Sequence, residues 1–145
     1  MPERWRPVPG WPYEASRGGR VRSLARRVPL KRQRRRKDGY LFVDMSDRGR
    51  RRRAHVAVLV LEAFAGPRPP GAEACHRNGR RGDCRAANLY WGTKSQNRQD
   101  RERHRRERAA RRAAAEATEV KERETGEIEE AAYCLVETGT GVSPC

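Results

Sequence analysis

Large apolar side chains are scarce in this chain and unevenly placed, and nothing else in it restricts the fold as much. Leu, Ile, Val and Phe together number 20 among 145 residues, and ten of them fall between Tyr40 and Thr93. Burying apolar surface is the main favourable term in folding, so a core has to form where such residues concentrate. The ordered centre is therefore expected within 40–93, with looser ends. Low apolar content combined with a net charge of +15 also predicts partial disorder. At 145 residues, one domain or a small domain with tails is the expectation.

Arginine carries most of the charge. The densest runs are KRQRRRK at 31–37 and RGRRRR at 48–53. Such runs attract polyanions, and the guanidinium fork suits bidentate contact with phosphate. Nucleic acid is the leading partner, a balance shared by nucleases, nucleoid proteins and ribosomal proteins. For either run alone, the plain alternative is a solvated basic tail. No apolar run approaches the roughly 20 residues of a membrane helix. The opening MPERWRPVPGWPYEAS has no continuous apolar stretch of the secretory kind, so a cytoplasmic location is expected, in a bacterial or phage-infected cell. The cysteines, Cys75, Cys84, Cys134 and Cys145, form no CxxC pair. Free thiols are expected, and no structural zinc.

Along the chain, Val21 and Ser23 alternate with Arg20 and Arg22 behind the turn Gly18-Gly19, a strand-like pattern. Residues 29–37 read as a basic linker, mobile without a ligand. GYLFVDMS at 39–46 is a strand by its aromatic and β-branched content, DRGR a turn, and RRRAH at 51–55 the returning strand of a hairpin. In the segment that follows, Val56, Leu59, Val60, Ala63 and Phe64 share one helical face, and Gly66-Pro67 ends the helix. ACH and LYW (89–91) read as two short strands separated by a long loop. TKSQ at 93–96 is a capping box that starts a helix with Asn97 in its first turn. From Lys94 to Glu124 this helix has 11 basic and 7 acidic residues and a poor apolar face. Residues 126–145 hold four glutamates and no Lys or Arg, and are expected to be disordered.

Strand, loop, strand and capped helix make a ββα unit over 73 to about 104. It brings a strand-end residue, His76, toward a first-turn helix residue, Asn97. The segment CHRNG…DCRAANLYWGTKSQN resembles the HNH endonucleases, the ββα-metal group, and most of all their phage and intron-homing branch. The likeness covers about 25 residues closely. The lead-in LVLEAFAGPRPPG at 59–71 is similar to the segment that precedes the motif in that family. RWRPVPGWPYEAS…GRVRSL at 4–24 resembles the nuclease-associated modular DNA-binding motif often found at the family's N-terminus.

The resemblance implies an α+β fold: a β-hairpin and helix lead-in, a ββα-metal motif, a long basic C-terminal helix and a disordered tail. The implied segments are a DNA-binding motif at 1–28, a basic linker at 29–37 and a hairpin plus helix at 38–66. The HNH motif follows at 67–104, then a charged helix extension at 105–125 and the tail at 126–145. His76 matches the family's general base, and a neutral imidazole suits that task near neutral pH. Asn88 matches the middle asparagine that orients the histidine through the loop backbone. Asn97 matches the helix ligand to a single divalent cation, Mg²⁺ first and Mn²⁺ second, with no small-molecule cofactor. Asn78 and Gly79 match the turn after the base.

Three positions depart from the family pattern. Cys75 stands where the homing branch often has an aspartate metal ligand, Cys84 where an asparagine is common, and Ala57 where a histidine often occurs, with His55 two residues upstream. Trp91 reads as packing, and His104 as a phosphate contact or nothing.

The implied activity is metal-dependent hydrolysis of DNA phosphodiesters by a monomeric nickase that acts on double-stranded DNA. Arg20, Arg22, Arg51, Arg52, Arg53, Lys94 and Arg98 are the expected DNA contacts. The alternative is a catalytically weak or inactive HNH-derived DNA-binding protein, which Cys75 and Ala57 favour. A basic RNA-binding protein ranks third.

Overall fold

The computed structural model describes residues 2–137, and the side chains of 2–126. Two compact units divide the chain between His104 and Arg105. The fold is α+β. In the first unit three small antiparallel sheets pack around one short helix.

The first sheet joins β1 (Trp5–Pro7), β2 (Tyr13–Ser16) and β3 (Val21–Ser23) in that order. Only β3 was expected. The prolines around β1 and β2 hide any alternation, and the strands form because Val8, Tyr13 and Ala15 are buried in the common core. The second sheet orders β4 (Gln33–Arg34), β5 (Leu41–Asp47) and β6 (Arg50–His55). β5 and β6 are the predicted hairpin. β4 is a short strand inside the segment read from sequence as a basic linker, 29–37. Gln33 pairs with Phe42 and Arg34 with Leu41, because the free edge of β5 offers backbone groups that need partners.

Helix α1 (Val56–Phe64) follows β6 directly. The predicted stripe of Val56, Leu59, Val60, Ala63 and Phe64 is only part of what it buries. Ala57 and Leu61 are also inside, while Ala63 and Phe64 are half-buried. A helix covered on most sides cannot show a clean amphipathic stripe. Tyr13 ties the first two sheets together: its hydroxyl donates to the Ser46 carbonyl at 2.9 Å and accepts from the Ser46 N–H at 3.0 Å.

The third sheet is the hairpin of β7 (Glu73–His76) and β8 (Leu89–Gly92), paired from Glu73–Gly92 to His76–Leu89. Its loop carries a 3-10 turn at Ala86–Asn88, and the Ala86 N–H donates to the Arg17 carbonyl at 2.9 Å, which docks the first sheet. Trp91 packs against the core and its indole N–H donates to the Gly66 carbonyl at 3.2 Å, fixing the connector between α1 and β7.

Helix α2 spans Lys94–Glu137. The capping box forms as expected: the Gln96 N–H donates to Thr93 Oγ1 at 3.2 Å, and Gln96 Oε1 accepts from the Thr93 N–H at 2.9 Å. From Arg105 to Gly126 every side chain is exposed. The disorder expected over 126–145 falls in part outside the described residues, and up to Glu137 the backbone is helical. Among the described residues, no helix is long and apolar enough to cross a membrane.

Candidate active site

The short hairpin β7–β8 runs straight into α2, and Gly92 is the joint. A Cβ there would sit 2.9 Å from both Cys75 Sγ and a Tyr90 ring carbon. Only a residue without a side chain lets the helix begin this close to the strands. The helix residues Asn97, Asp100, Arg101 and His104, at successive spacings of three, one and three, lie on one helical face. With Tyr40, Cys75, His76, Gly79 and Arg81 they line a small cleft of about 30 Å³. His76 and Asn97, the two positions singled out for chemistry, are thus brought together.

His76 ends β7 and is 8 % exposed. Its Nε2 has no hydrogen-bond partner among the described residues. Burial pushes its pKa below the ordinary 6.5; Asp83 opposes that shift, and the positive charge of Arg81 adds to it. The ring is therefore neutral at pH 7, with a nitrogen lone pair or N–H turned to no protein partner. Tyr40 lies 6.0 Å from the His76 ring and 5.5 Å from that of His55. His55 itself is exposed and does not line the cleft. Ala57 is buried in the core.

The loop after His76 is built on Asn88. Its side-chain carbonyl accepts from the Asn78 N–H at 3.0 Å, and its amide donates to Asn78 Oδ1 at 3.0 Å and to the Asp83 carbonyl at 2.9 Å. The Arg77 N–H reaches the Asn88 carbonyl at 2.8 Å. A buried asparagine thereby holds both the first residues and the far side of the loop that leaves the histidine. Asp83 accepts from Asn78, twice from the Arg85 guanidinium and once from the Arg85 backbone N–H, and the Arg85 bonds hold its carboxyl far below the usual range. Gly79 turns the chain at φ +66, and a Cβ there would lie 2.7 Å from the His104 ring. His104, expected to touch phosphate or nothing, is instead buried as the floor under this turn.

On the other side of the cleft, the Asn97 amide donates to Glu73 Oε2 at 2.5 Å. Tyr90 donates its hydroxyl to Asp100, which also pairs with Arg103 at 2.8 Å. Cys75 is buried, and burial pushes its thiol pKa up. It therefore stays protonated and poorly suited to a hard cation. Among the described residues, no three His, Cys, Asp or Glu side chains gather as a cation cage. The available oxygens are the Asn97 carbonyl and the carboxylates of Glu73 and Asp100. So sparse a set fits a cation that keeps waters and takes its remaining ligands from phosphate, as Mg²⁺ does, better than a closed protein site. Cys84, buried with its pKa raised to about 11, belongs to the core. Both thiols are free, and the side chains of Cys134 and Cys145 lie outside the described residues.

Sequence reasoning missed Tyr40, Arg81, Glu73, Asp100 and Arg101. Spacing of the helix face could have found Asp100 and Arg101. Tyr40 and Arg81 come to the cleft from separate loops, with Arg81 stacked 5.0 Å over the Tyr40 ring and bonded to the Asp38 carbonyl at 2.7 Å.

The arginines expected to meet DNA are unequally placed. Arg22 stacks 4.0 Å over Trp5 and pairs with Glu14 at 2.8 Å, so the first sheet already uses it. Arg20 pairs with Glu3. Alternation along β6 separates its arginines. Arg52, opposite the buried Met45, is half-buried and reaches Glu62 of α1 at 3.7 Å. Arg51 and Arg53 share the outer face, where Arg53 bonds Asp44 at 2.8 Å. Lys94 and Arg98 are exposed on the first turns of α2. Arg4, Arg6 and Arg17, not singled out from sequence, line an open groove of about 350 Å³.

Comparison with known proteins gives two family matches in chain order, a NUMOD4 motif over residues 3–46 and an HNH endonuclease model over residues 53–99. Among solved structures, the chain is similar to the HNH homing endonuclease I-HmuI, described for DNA binding and cleavage. The TM-score is 0.63 at 27% identity, over 68% of this chain and 57% of that one. The chain thus spans little more than half the length of that protein. No curated protein matches significantly.

Proposed function

We propose, for a chain that belongs to the HNH endonucleases and carries a NUMOD4 motif ahead of the HNH domain, that it hydrolyses phosphodiester bonds in double-stranded DNA with a divalent cation. One observation carries the reading. His76 is buried, held neutral and unpartnered at Nε2 among the described residues, and it lines a cleft with Asn97.

In this reading His76 is the general base. A neutral imidazole takes a proton from water as the water attacks phosphorus, and burial keeps the base from being protonated beforehand. Asn88 holds the loop behind His76 and so aims the ring. Asn97 and a neighbouring carboxylate would hold the cation, Mg²⁺ or Mn²⁺, which when bound supplies positive charge against the developing charge on the leaving 3′ oxygen. Arg81 and Arg101 line the same cleft and are placed to meet phosphate oxygens. One cleft per chain favours nicking by a monomer. The exposed arginines and Lys94 contact the DNA backbone and position it without reading sequence.

Cys75 favours a second reading, a DNA-binding protein that cleaves weakly or not at all. Supercoiled plasmid incubated with Mg²⁺, Mn²⁺ or EDTA, for wild type beside His76→Ala, separates the two. The nuclease reading expects open-circle product that needs the cation and disappears in His76→Ala. A plasmid retarded on the gel yet supercoiled under every condition would support binding alone.

A further inference from the structure

The reading above leaves a gap in charge. Cysteine carries sulfur, so nothing at position 75 supplies a hard anionic oxygen. A carboxylate does lie on the same strand face. Glu73 precedes Cys75 by two residues, and the strand period of two turns both side chains to one side. Their cross-strand neighbours, Gly92 and Tyr90, lead into α2.

Glu73 is unusual among the acidic residues around it. Glu14, Asp44, Asp47, Asp83 and Asp100 each pair with an arginine. Glu73 is half-buried in a chain of 34 Lys and Arg, yet among the described residues its side chain makes one hydrogen bond, from the Asn97 amide. That bond commits the nitrogen of Asn97 to Glu73, leaving Oδ1 as the open donor atom toward a cation. Among the described residues Glu73 also has no positive partner, so its carboxylate charge is not already committed to an arginine. Asn97 itself lines the cleft that holds the buried His76, so a cation shared by Glu73 and Asn97 would lie at the edge of that cleft.

We infer that Glu73 is a metal ligand: its carboxylate, in place of a side chain at position 75, joins Asn97 Oδ1 in holding the divalent cation. This rests on the nuclease reading and assigns the anionic oxygen that reading needs. The strand offers that oxygen one pleat earlier than position 75, and the first turn of α2 is close enough to share it.

The test is titration of the full chain with Mn²⁺, followed by electron paramagnetic resonance, which reads bound ion without any cleavage. Wild type is set beside Glu73→Gln and Cys75→Ala. Glutamine keeps an acceptor for the Asn97 amide and removes the charge, so it separates a ligand from a residue that only orients Asn97. The expected result is a loss of Mn²⁺ affinity of at least about tenfold in Glu73→Gln, with Cys75→Ala within about twofold of wild type. Equal affinity in Glu73→Gln and wild type overturns the assignment, and wild-type nicking that still needs the cation leaves the nuclease reading in place. A wild type that neither binds Mn²⁺ nor nicks plasmid with it overturns both. If Glu73→Gln does not fold, Glu73→Asp is read the same way. It draws the oxygen back by one methylene, so unchanged affinity there also counts against Glu73.

Discussion

The cleft around His76 and the outer face of the β5–β6 hairpin both gather polar side chains, and they hold them in opposite ways. Around the cleft the groups with a chemical role are few, and His76 and the Asn88 behind it are buried. Asn88 bonds three loop atoms, Asn97 bonds Glu73, and His76 is kept neutral by burial. On the hairpin the arginines are many and exposed, and their ion pairs, such as Arg53 with Asp44, are surface pairs of the weak kind. Chemistry that depends on desolvation and aim belongs to single residues. Attraction to a polyanion is shared among many.

The largest effect should fall on His76. His76→Ala is expected to lower the nicking rate by about 10² to 10⁴-fold, the usual share of a general base, while gel retardation of plasmid stays close to wild type. A comparable loss of DNA binding would mean that the cleft and the arginine face are not separate in function. Asn88→Ala comes next. It removes the hydrogen bonds to the Asn78 N–H, Asn78 Oδ1 and the Asp83 carbonyl, each worth about 0.5–1.5 kcal/mol net. Urea unfolding should show the stability loss, and the nicking rate should fall with it.

The pH profile sharpens the same contrast. A base held below 6.5 by burial sheds its proton earlier on the way up in pH, so the acid limb of kcat/KM should lie below pH 6.5. A cation bound nearby would push the limb the same way. Arg81→Ala removes a charge that lowers the His76 pKa and should move the limb upward; a limb that stays fixed would separate Arg81 from His76. The smallest effects belong to the arginine face. Arg51→Ala should reduce the slope of log affinity against log salt by about 1, while Arg52→Ala, already turned to Glu62, should change it less. Equal slopes for the two would break the distinction drawn from strand alternation.

Much of this was legible in local pattern. The capping box at Thr93–Gln96 placed the start of α2, the turn DRGR placed the β5–β6 hairpin, and CHRNG with NLYW placed the site hairpin, because each depends on residues a few positions apart. The likeness of the ββα segment pointed to His76, Asn88 and Asn97. The N-terminal strands were hidden, since Pro-rich segments carry no period and Tyr13 earns its place through Ser46, 33 residues away. The half-buried fate of Arg52 followed from strand register, and that of Arg22 from Trp5 and Glu14.

By itself, then, the sequence determined where α1, the start of α2 and the hairpins β5–β6 and β7–β8 form, and which residue types stand at the strand end and helix start, for those are set by neighbours in the chain. Only the tertiary structure decided what each polar group faces. It put Glu73 against Asn97, Arg81 beside His76 and His104 beneath Gly79. Burial and charge act across space between residues that the chain keeps far apart, and so no local pattern could state them.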